Sequence, residues 1–466
     1  MSPLYASRVV RKFHLCEFFV RFVSFVVKVR RPLGRPCRKR LHHKGTKPQR
    51  RTKNEKLPFK SLRKTSSLLR PNFAAVKCDV LVVGASAAGF MAALSAAKEG
   101  YDVIVADRDP AAEVHAANTL FEGMARHSGL KVESCYIKNE LEGMSIISPA
   151  GRSATIPTRG YFLDRGLFDE HYRNLAHDRG IMILPGVAKE ILPAREGGRT
   201  VRMAEGCSAG EIAAQVVVDA SGVKSGLARA AGLFPMHHPE DIAWAVEADI
   251  EHPGIGEEAF FQYWIGSMAP GWKATFSPAG GDRATLGVFV RGHGRDVEPF
   301  FQAFLKIFKA AKAEQYSGID DLRVLSLRRG GDPICVLPGE VVADSLMVTG
   351  GAAGQSGLAY GMRAGAICGE AAARAVAAED VSKKGLSWYE QKWRRELYWQ
   401  YRMGRASLLT LAGMKDSEID RLVGGLSGKR LISSGPFLSK AAFAGAAVAR
   451  YRPRTLFELA ANMMRG

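Results

Sequence analysis

Residues 78–107, CDVLVVGASAAGFMAALSAAKEGYDVIVAD, decide the fold. Cys78–Val83 is short, β-branched and almost continuously apolar, the pattern of a strand buried on both faces. A glycine turn follows, then a helix of small residues expected from Ala87 to Glu99 and stopped by Gly100. Tyr101–Ala106 reads as a second strand ending at Asp107. Strand, turn, helix and strand in that order begin a parallel α/β sheet.

The turn itself is Gly84-Ala85-Ser86-Ala87-Ala88-Gly89, a G-x-G-x-x-G string with Ser86 at the middle glycine. Gly84 permits the tight turn and Gly89 lets the helix pack on the strand. The helix start at Ser86 and Ala87 then offers backbone N–H groups and a positive dipole end to a pyrophosphate. Asp107 stands 23 positions after Gly84, where it can accept hydrogen bonds from a ribose. FAD and NAD both use this unit, so the fingerprint alone leaves the dinucleotide open.

Moving outward, 167–179 reads as a helix, 181–184 as a short strand, and Gln215–Asp219 as a buried strand entering the turn Ala220-Ser221-Gly222. From 241 to 292 strands alternate with aromatics: Trp244, Phe260, Phe261, Tyr263, Trp264, Trp272 and Phe276. This predicts a mixed or antiparallel sheet lining a substrate space. The first grammar returns at Ser345–Thr349, followed by a glycine-rich turn and an Ala-rich helix to about Ala378. Two distant segments with one grammar should converge on one ligand. The last 85 residues read as helical, with apolar faces at Leu408–Met414 and Phe437–Val448.

Several of these stretches resemble the FAD-dependent geranylgeranyl reductases, within the wider group of aromatic-hydroxylase-like flavoproteins. Gly143–Asp169 is similar to the family passage whose Arg, here Arg165, contacts the cofactor. Val218–Ser225 resembles the family's d-A-x-G-x-x-S turn, placing Asp219 and Gly222 near the cofactor; the residues left a turn-forming role for Asp219 open. Gly350–Gln355 and the helix to Gly369 resemble the G-D-A-A-G-Q strand end, glycine loop and helix. In the family the loop's last Gly and the next apolar residue lie under the flavin, roles that fall on Gly361 and Met362. The resemblance also implies cofactor contacts at Arg108 and Val187. Pro270–Pro278 is similar to the aromatic stretch lining the isoprenoid tunnel, which points to Trp272 and Phe276, although core packing explains these two equally well.

Three departures stand out. Gly351 replaces the family's ribityl-binding Asp, the loop before Gly361 is about two residues short, and His115–Asn118 lacks the family's Cys. Each lost hydrogen bond to a buried partner weakens cofactor binding by about 1–3 kcal/mol.

Composition limits the remaining readings. The net charge of +20 is concentrated in residues 1–72, where 21 Lys/Arg face only Glu17 and Glu55; the body is nearly neutral. Nucleic acid is therefore not an expected partner, and no aromatic-interleaved basic groove follows the tail. Residues 13–29 are interrupted by Glu17, Arg21 and Lys28, too polar for a spanning helix. The basic stretch suits an extension that does not fold alone, with a membrane-surface anchor and an organellar targeting peptide as alternatives. Seven Cys without C-x-x-C spacing argue for a reducing compartment and against a zinc site.

The expectation is thus an α/β protein with a Rossmann-like FAD-binding domain (76–240 and 325–380), a second mixed β-sheet substrate domain (241–324) and a helical C-terminal region (381–466). Residues 1–75 form the basic extension. The implied activity is saturation of C=C bonds in a geranylgeranyl lipid by hydride from reduced FAD, in the cytoplasm with peripheral membrane contact. The electron donor would be NADPH or a reduced carrier protein, since no second dinucleotide fingerprint exists. His115 is a candidate proton donor only by its place in the loop bordering the flavin. A monooxygenase or halogenase of the same superfold, and a relative that has lost its flavin, are the alternatives.

Overall fold

The computed structural model describes residues 76–110, 118–195, 197–204, 207, 209–334, 336–428 and 450–465. The basic extension, His115 and the apolar stretch Phe437–Val448 lie outside the described residues. In chain order the strands are β1 (Val76–Val83), β2 (Val103–Asp107), β3 (Thr119–Phe121), β4 (Ile137–Ile147), β5 (Ser153–Leu163), β6 (Met182–Pro185), β7 (Ala188–Ile191) and β8 (Arg199–Met203). They continue as β9 (Glu211–Asp219), β10 (Ala243–Glu251), β11 (Phe260–Trp264), β12 (Lys273–Pro278), β13 (Arg283–Val290), β14 (Arg323–Asp332), β15 (Val342–Ala343) and β16 (Leu346–Val348).

The first sheet runs β15-β16-β9-β1-β2-β6, with β7 and β8 appended beside β9. Its central run β16-β9-β1-β2-β6 is parallel, and Val83, Asp219 and Val348 share one register row at its carboxyl edge. Val80–Val82 and Val216–Val218 are wholly buried, as expected of strands covered on both faces. The covering layer contains helix α1 (Ala87–Ala97). Its small residues let a second helix, Leu358–Ala377, approach to backbone contact. A Cβ at Gly365 would stand 2.1 Å from the Ala88 carbonyl oxygen, and one at Gly369 2.1 Å from that of Ala92. No side chain fits at either point.

The second sheet has the order β14-β10-β13-β12-β11-β4-β5-β3, antiparallel except where β11 lies parallel to β4. Residues 119–163, grouped by sequence with the first domain, supply three of its strands. One face packs on the helix Glu298–Lys312 through Phe301, Phe304 and Phe308, against Trp264, Phe276, Leu286 and Val288. Among the described residues no helix is long and apolar enough to cross a membrane. The half-buried Cys78 thiol is pushed up to about 12, first by desolvation and then by Asp79 and Asp102, which suits packing rather than reactivity.

Between Glu122–Ser128 (α2), Arg165–Asp178 (α3), Gly226–Ala230 (α4), Glu298–Lys312 (α5) and Leu358–Ala377 (α6), the last is the helix paired with α1. Beyond it run α7 (Lys383–Trp393), α8 (Trp399–Ala412), α9 (Asp416–Leu426) and α10 (Arg454–Arg465).

Candidate functional site

Because β1, β9 and β16 are parallel and in register, the turns that follow them leave from the same edge of the sheet. They meet closely. A Cβ at Gly84 would lie 2.5 Å from the Ala220 carbonyl oxygen, and one at Gly350 2.8 Å from the Ala88 methyl. At Gly351 the nearest atoms to such a Cβ are the Cα of Gly222 and the N of Val223, both at 3.6 Å. Residues near 84, 220 and 350 therefore surround one crevice at the point where a doubly wound sheet binds its ligand.

Ser86 is the N-cap of α1. Its Oγ accepts from the Gly89 N–H at 3.2 Å and donates to the Ala220 carbonyl at 3.4 Å. The serine thus caps one amide itself and ties two of the turns together, leaving the first-turn amides of Ala87 and Ala88 for an anion. Gly84, with φ +114, occupies a backbone region that disfavours any side chain. Gly89 is fixed by contact: a Cβ there would sit 2.0 Å from the Gly84 carbonyl oxygen.

Asp107 ends β2 half-buried. Its carboxylate accepts from the Ala85 N–H at 2.8 Å and the Asp109 N–H at 2.9 Å. Two bonds use part of a capacity of about four, so ribose hydroxyls can still be accepted. Arg108 is exposed beside it. Val187 is also exposed, in the loop after β6, whose Pro185 is in register with Asp107.

Arg165 is buried at the first turn of α3, paired with Asp169 at 2.9 Å and stacked 4.9 Å from the Phe168 ring centre. The ion pair lies in the interior, and Asp164 serves as N-cap to Leu167 at 3.0 Å.

Two expected cofactor contacts change role. Asp219 is wholly buried, and its carboxylate accepts from the Ser221 N–H (3.0 Å), the Ser221 hydroxyl (2.5 Å) and the Ala228 N–H (2.9 Å). It shapes the turn that presents Gly222 and does not reach outward; a Cβ at Gly222 would meet nothing within 4 Å. Gly361 and Met362 were placed at the end of a loop, but α6 already begins at Leu358 behind Gly357 (φ +90). The Gly361 N–H bonds the Gly357 carbonyl at 2.7 Å, and Met362 is buried. The helix starts upstream of Gly361, so its first-turn amides are those of Leu358, Ala359 and Tyr360.

Sequence reading missed the clamp that holds this loop. The Gln355 side-chain carbonyl accepts from the Gly350 N–H at 2.8 Å and from the Thr349 hydroxyl at 3.2 Å. Its amide donates to the Tyr389 hydroxyl at 2.9 Å, and that hydroxyl donates to the Val348 carbonyl at 2.9 Å. Buried polar side chains so far apart in sequence carry no local signal.

The residues fit FAD. Gly222 leaves its side of the crevice open, the helices α1 and α6 both start beside the joined turns, and Asp107 keeps acceptor capacity at the end of β2. At Gly351 a Cβ would make only ordinary contacts at 3.6 Å, so a side chain is not barred there.

Phe276 requires correction as a substrate residue. It is wholly buried on the α5 face of the second sheet, 5.2 Å from the Phe308 ring, because even positions of β12 point there and odd ones point away. Trp272 lies at the turn before β12, its ring 4.8 Å from the Lys273 ammonium. That ammonium also lies 4.7 Å from the Tyr263 ring and 4.8 Å from the Phe289 ring. The opposite face of the sheet thus carries Lys273, Thr275, Glu247, Asp249, Thr285 and Arg328.

Residues 79–128 match the FAD binding domain family. Over 74% of this chain and 89% of the relative, the sequence is 31% identical to digeranylgeranylglycerophospholipid reductase 1 of Methanothermobacter thermautotrophicus. It is 27% identical to digeranylgeranylglycerophospholipid reductase 2 of Methanopyrus kandleri over 74% of this chain and 89% of that one. A geranylgeranyl bacteriochlorophyll reductase-like protein from Thermoplasma acidophilum shares the fold, with TM-score 0.72, 22% identity and coverage of 84% and 100%. The halogenase PltM in complex with FAD is more distant, at TM-score 0.56 and 13% identity over 82% and 85%.

Proposed function

The chain belongs to the digeranylgeranylglycerophospholipid reductase family, and from that membership we propose that it is an FAD-dependent oxidoreductase saturating C=C bonds of geranylgeranyl lipid chains. The observation that carries the reading is the meeting of three glycine turns from residues near 84, 220 and 350 around one crevice.

An isoprenoid double bond is unactivated, so amino-acid acids and bases alone do not reduce it; bound FAD supplies the hydride. The chain's own atoms position and shield. Ala87 and Ala88, at the positive end of α1, would hold the pyrophosphate, and Asp107 would accept from the ribose. The first-turn amides of α6 would donate to the flavin and favour its anionic reduced form. Gly222 would leave room for the ring. The second sheet closes the other side and excludes water.

The electron donor we infer is external, NADPH or a reduced carrier protein, because one dinucleotide unit serves the FAD alone. Peripheral membrane contact from a cytoplasmic protein fits a lipid substrate; α10 exposes Phe457 and Met464 one heptad apart, beside Arg454.

The test is a visible spectrum of the purified chain, followed by dithionite reduction and anaerobic addition of a geranylgeranyl lipid. Reoxidation with saturation of the lipid is expected. Flavin that reoxidises only with oxygen, while hydroxylating or halogenating an aromatic, would replace this reading with the monooxygenase one. Colourless protein that stays colourless with added FAD would end both.

A further inference from the structure

Saturating an alkene needs a proton as well as a hydride, and the acid must stand on the wall that faces the crevice. The link between crevice and wall is visible. The Ser356 hydroxyl, one residue past Gln355, bonds the carboxylate of Asp332 at the end of β14. Asp332 pairs with Ala243 on β10, and Glu247 lies four residues further along that strand on the same face. At about 3.3 Å per residue this places Glu247 ~13 Å from the flavin-loop contact. The intervening floor is Ala245 and its partner Gly330, where an added Cβ would meet nothing within 4 Å. Small residues therefore separate the loop from Glu247 on this face of the sheet.

Each other acid on this face is already engaged. Asp249 is held by Arg328 and the Ser326 hydroxyl, and Asp332 by Ser356. Among the described residues no hydrogen bond or ion pair secures the Glu247 carboxyl. Its stem leans over Gly287 beside Thr275: a Cβ at Gly287 would strike the Glu247 Cγ at 3.0 Å and the Thr275 Oγ1 at 2.9 Å. Tyr263 and Phe289 on the neighbouring strands and Trp272 in the turn before β12 gather around Lys273, giving apolar surface for a prenyl chain next to this acid.

We propose that Glu247 is the proton donor that completes saturation. The hydride equivalent adds to one alkene carbon while the Glu247 O–H bond breaks and its proton bonds the other carbon. The carboxylate left behind regains a proton from solvent between turnovers. This rests on the reductase reading and adds the acid to it.

The environment suits the task. Desolvation pushes the Glu247 carboxyl up from 4.5 to about 7; Arg328 and then Lys273 pull it down, while Asp332 and Asp249 push it up. A general acid is most effective when half-protonated near working pH. The folded protein holds this proton more tightly than the unfolded chain, so Glu247 lowers stability as pH climbs from about 4.5 to about 7.

The test uses the full chain and Glu247→Gln. Single-turnover reoxidation of the reduced protein by the lipid is expected to slow roughly 10²–10⁴-fold, with the visible spectrum unchanged. The wild-type rate should fall above pH ~7, and that limb should vanish in the variant. Independently of turnover, the thermal midpoint of cofactor-free E247Q should gain on wild type between pH 4.5 and 7 and level off above. Glu247→Asp should recover part of the rate. A variant within a few-fold of wild type, or one retaining the alkaline limb, overturns the assignment while leaving the reductase reading intact. A wild-type protein that the lipid never reoxidises overturns both.

Discussion

The two faces that enclose the crevice are built on opposite principles. On the first sheet recognition is made of backbone: amides at two helix starts, glycines that bar side chains, and carbonyls in contact at Gly84, Gly365 and Gly369. On the second sheet the face proposed to meet the substrate is made of side chains, Glu247, Lys273 and Thr275 among them, on strands whose other face is ordinary core. FAD is the same molecule in every protein that binds it, so a fixed backbone cradle suits it. A substrate differs between relatives, and side chains are changed without disturbing the fold.

If the contrast is right, a small change on the first side does the most damage. Gly89→Val forces a branched side chain to within 2.0 Å of the Gly84 carbonyl. Loss of about 3 kcal/mol or more is expected, with loss of bound flavin, read by urea unfolding and by absorbance. Gln355→Ala comes next, at about 2 kcal/mol, since it strands the buried Gly350 N–H and removes the donor to the Tyr389 hydroxyl; the same unfolding curve measures it. Gly351→Asp sharpens the comparison in the other direction. A Cβ has room there, so restoring a carboxylate should tighten FAD by about 1 kcal/mol, a several-fold lower Kd by flavin fluorescence titration. The smallest effect belongs to Phe276→Leu, about 1 kcal/mol of stability with KM for the lipid unchanged, because its ring faces α5. A raised KM would return Phe276 to the substrate wall.

The sequence made the first side legible and the second only in outline, for the same reason. Strand, glycine turn and small-residue helix are local patterns with a local cause, so β1, α1, β2 and the turns at 220 and 350 could be placed without coordinates. Convergence followed from parallel topology. Aromatic content announced a second sheet, yet which face each ring takes depends on strand register: the sequence left Phe276 open to lining or to core packing, and its parity sends it into the core. Glu247 had a faint signal, one acid within the alternating run AWAVEADI, but nothing local distinguished it from Asp249 or Glu251. Arg165 and Asp219 were candidates for cofactor contact by resemblance; partners four and nine residues away engage their side chains, which no local pattern announces. The start of α6 at Leu358 was not legible in the sequence, where the helix was expected to begin nearer Gly361.

The register row that joins Val83, Asp219 and Val348 also has a meaning in time. The three turns are separated by well over a hundred residues each, and the last belongs to a strand only three residues long. On a ribosome, α1 emerges long before its partner α6, with its alanine and glycine surface uncovered until that partner is made. Pairings between such distant segments form slowly and leave unfinished surfaces open to aggregation. Flavin capture is thus a late event in the life of the chain, and yellow colour in a preparation counts the molecules that finished.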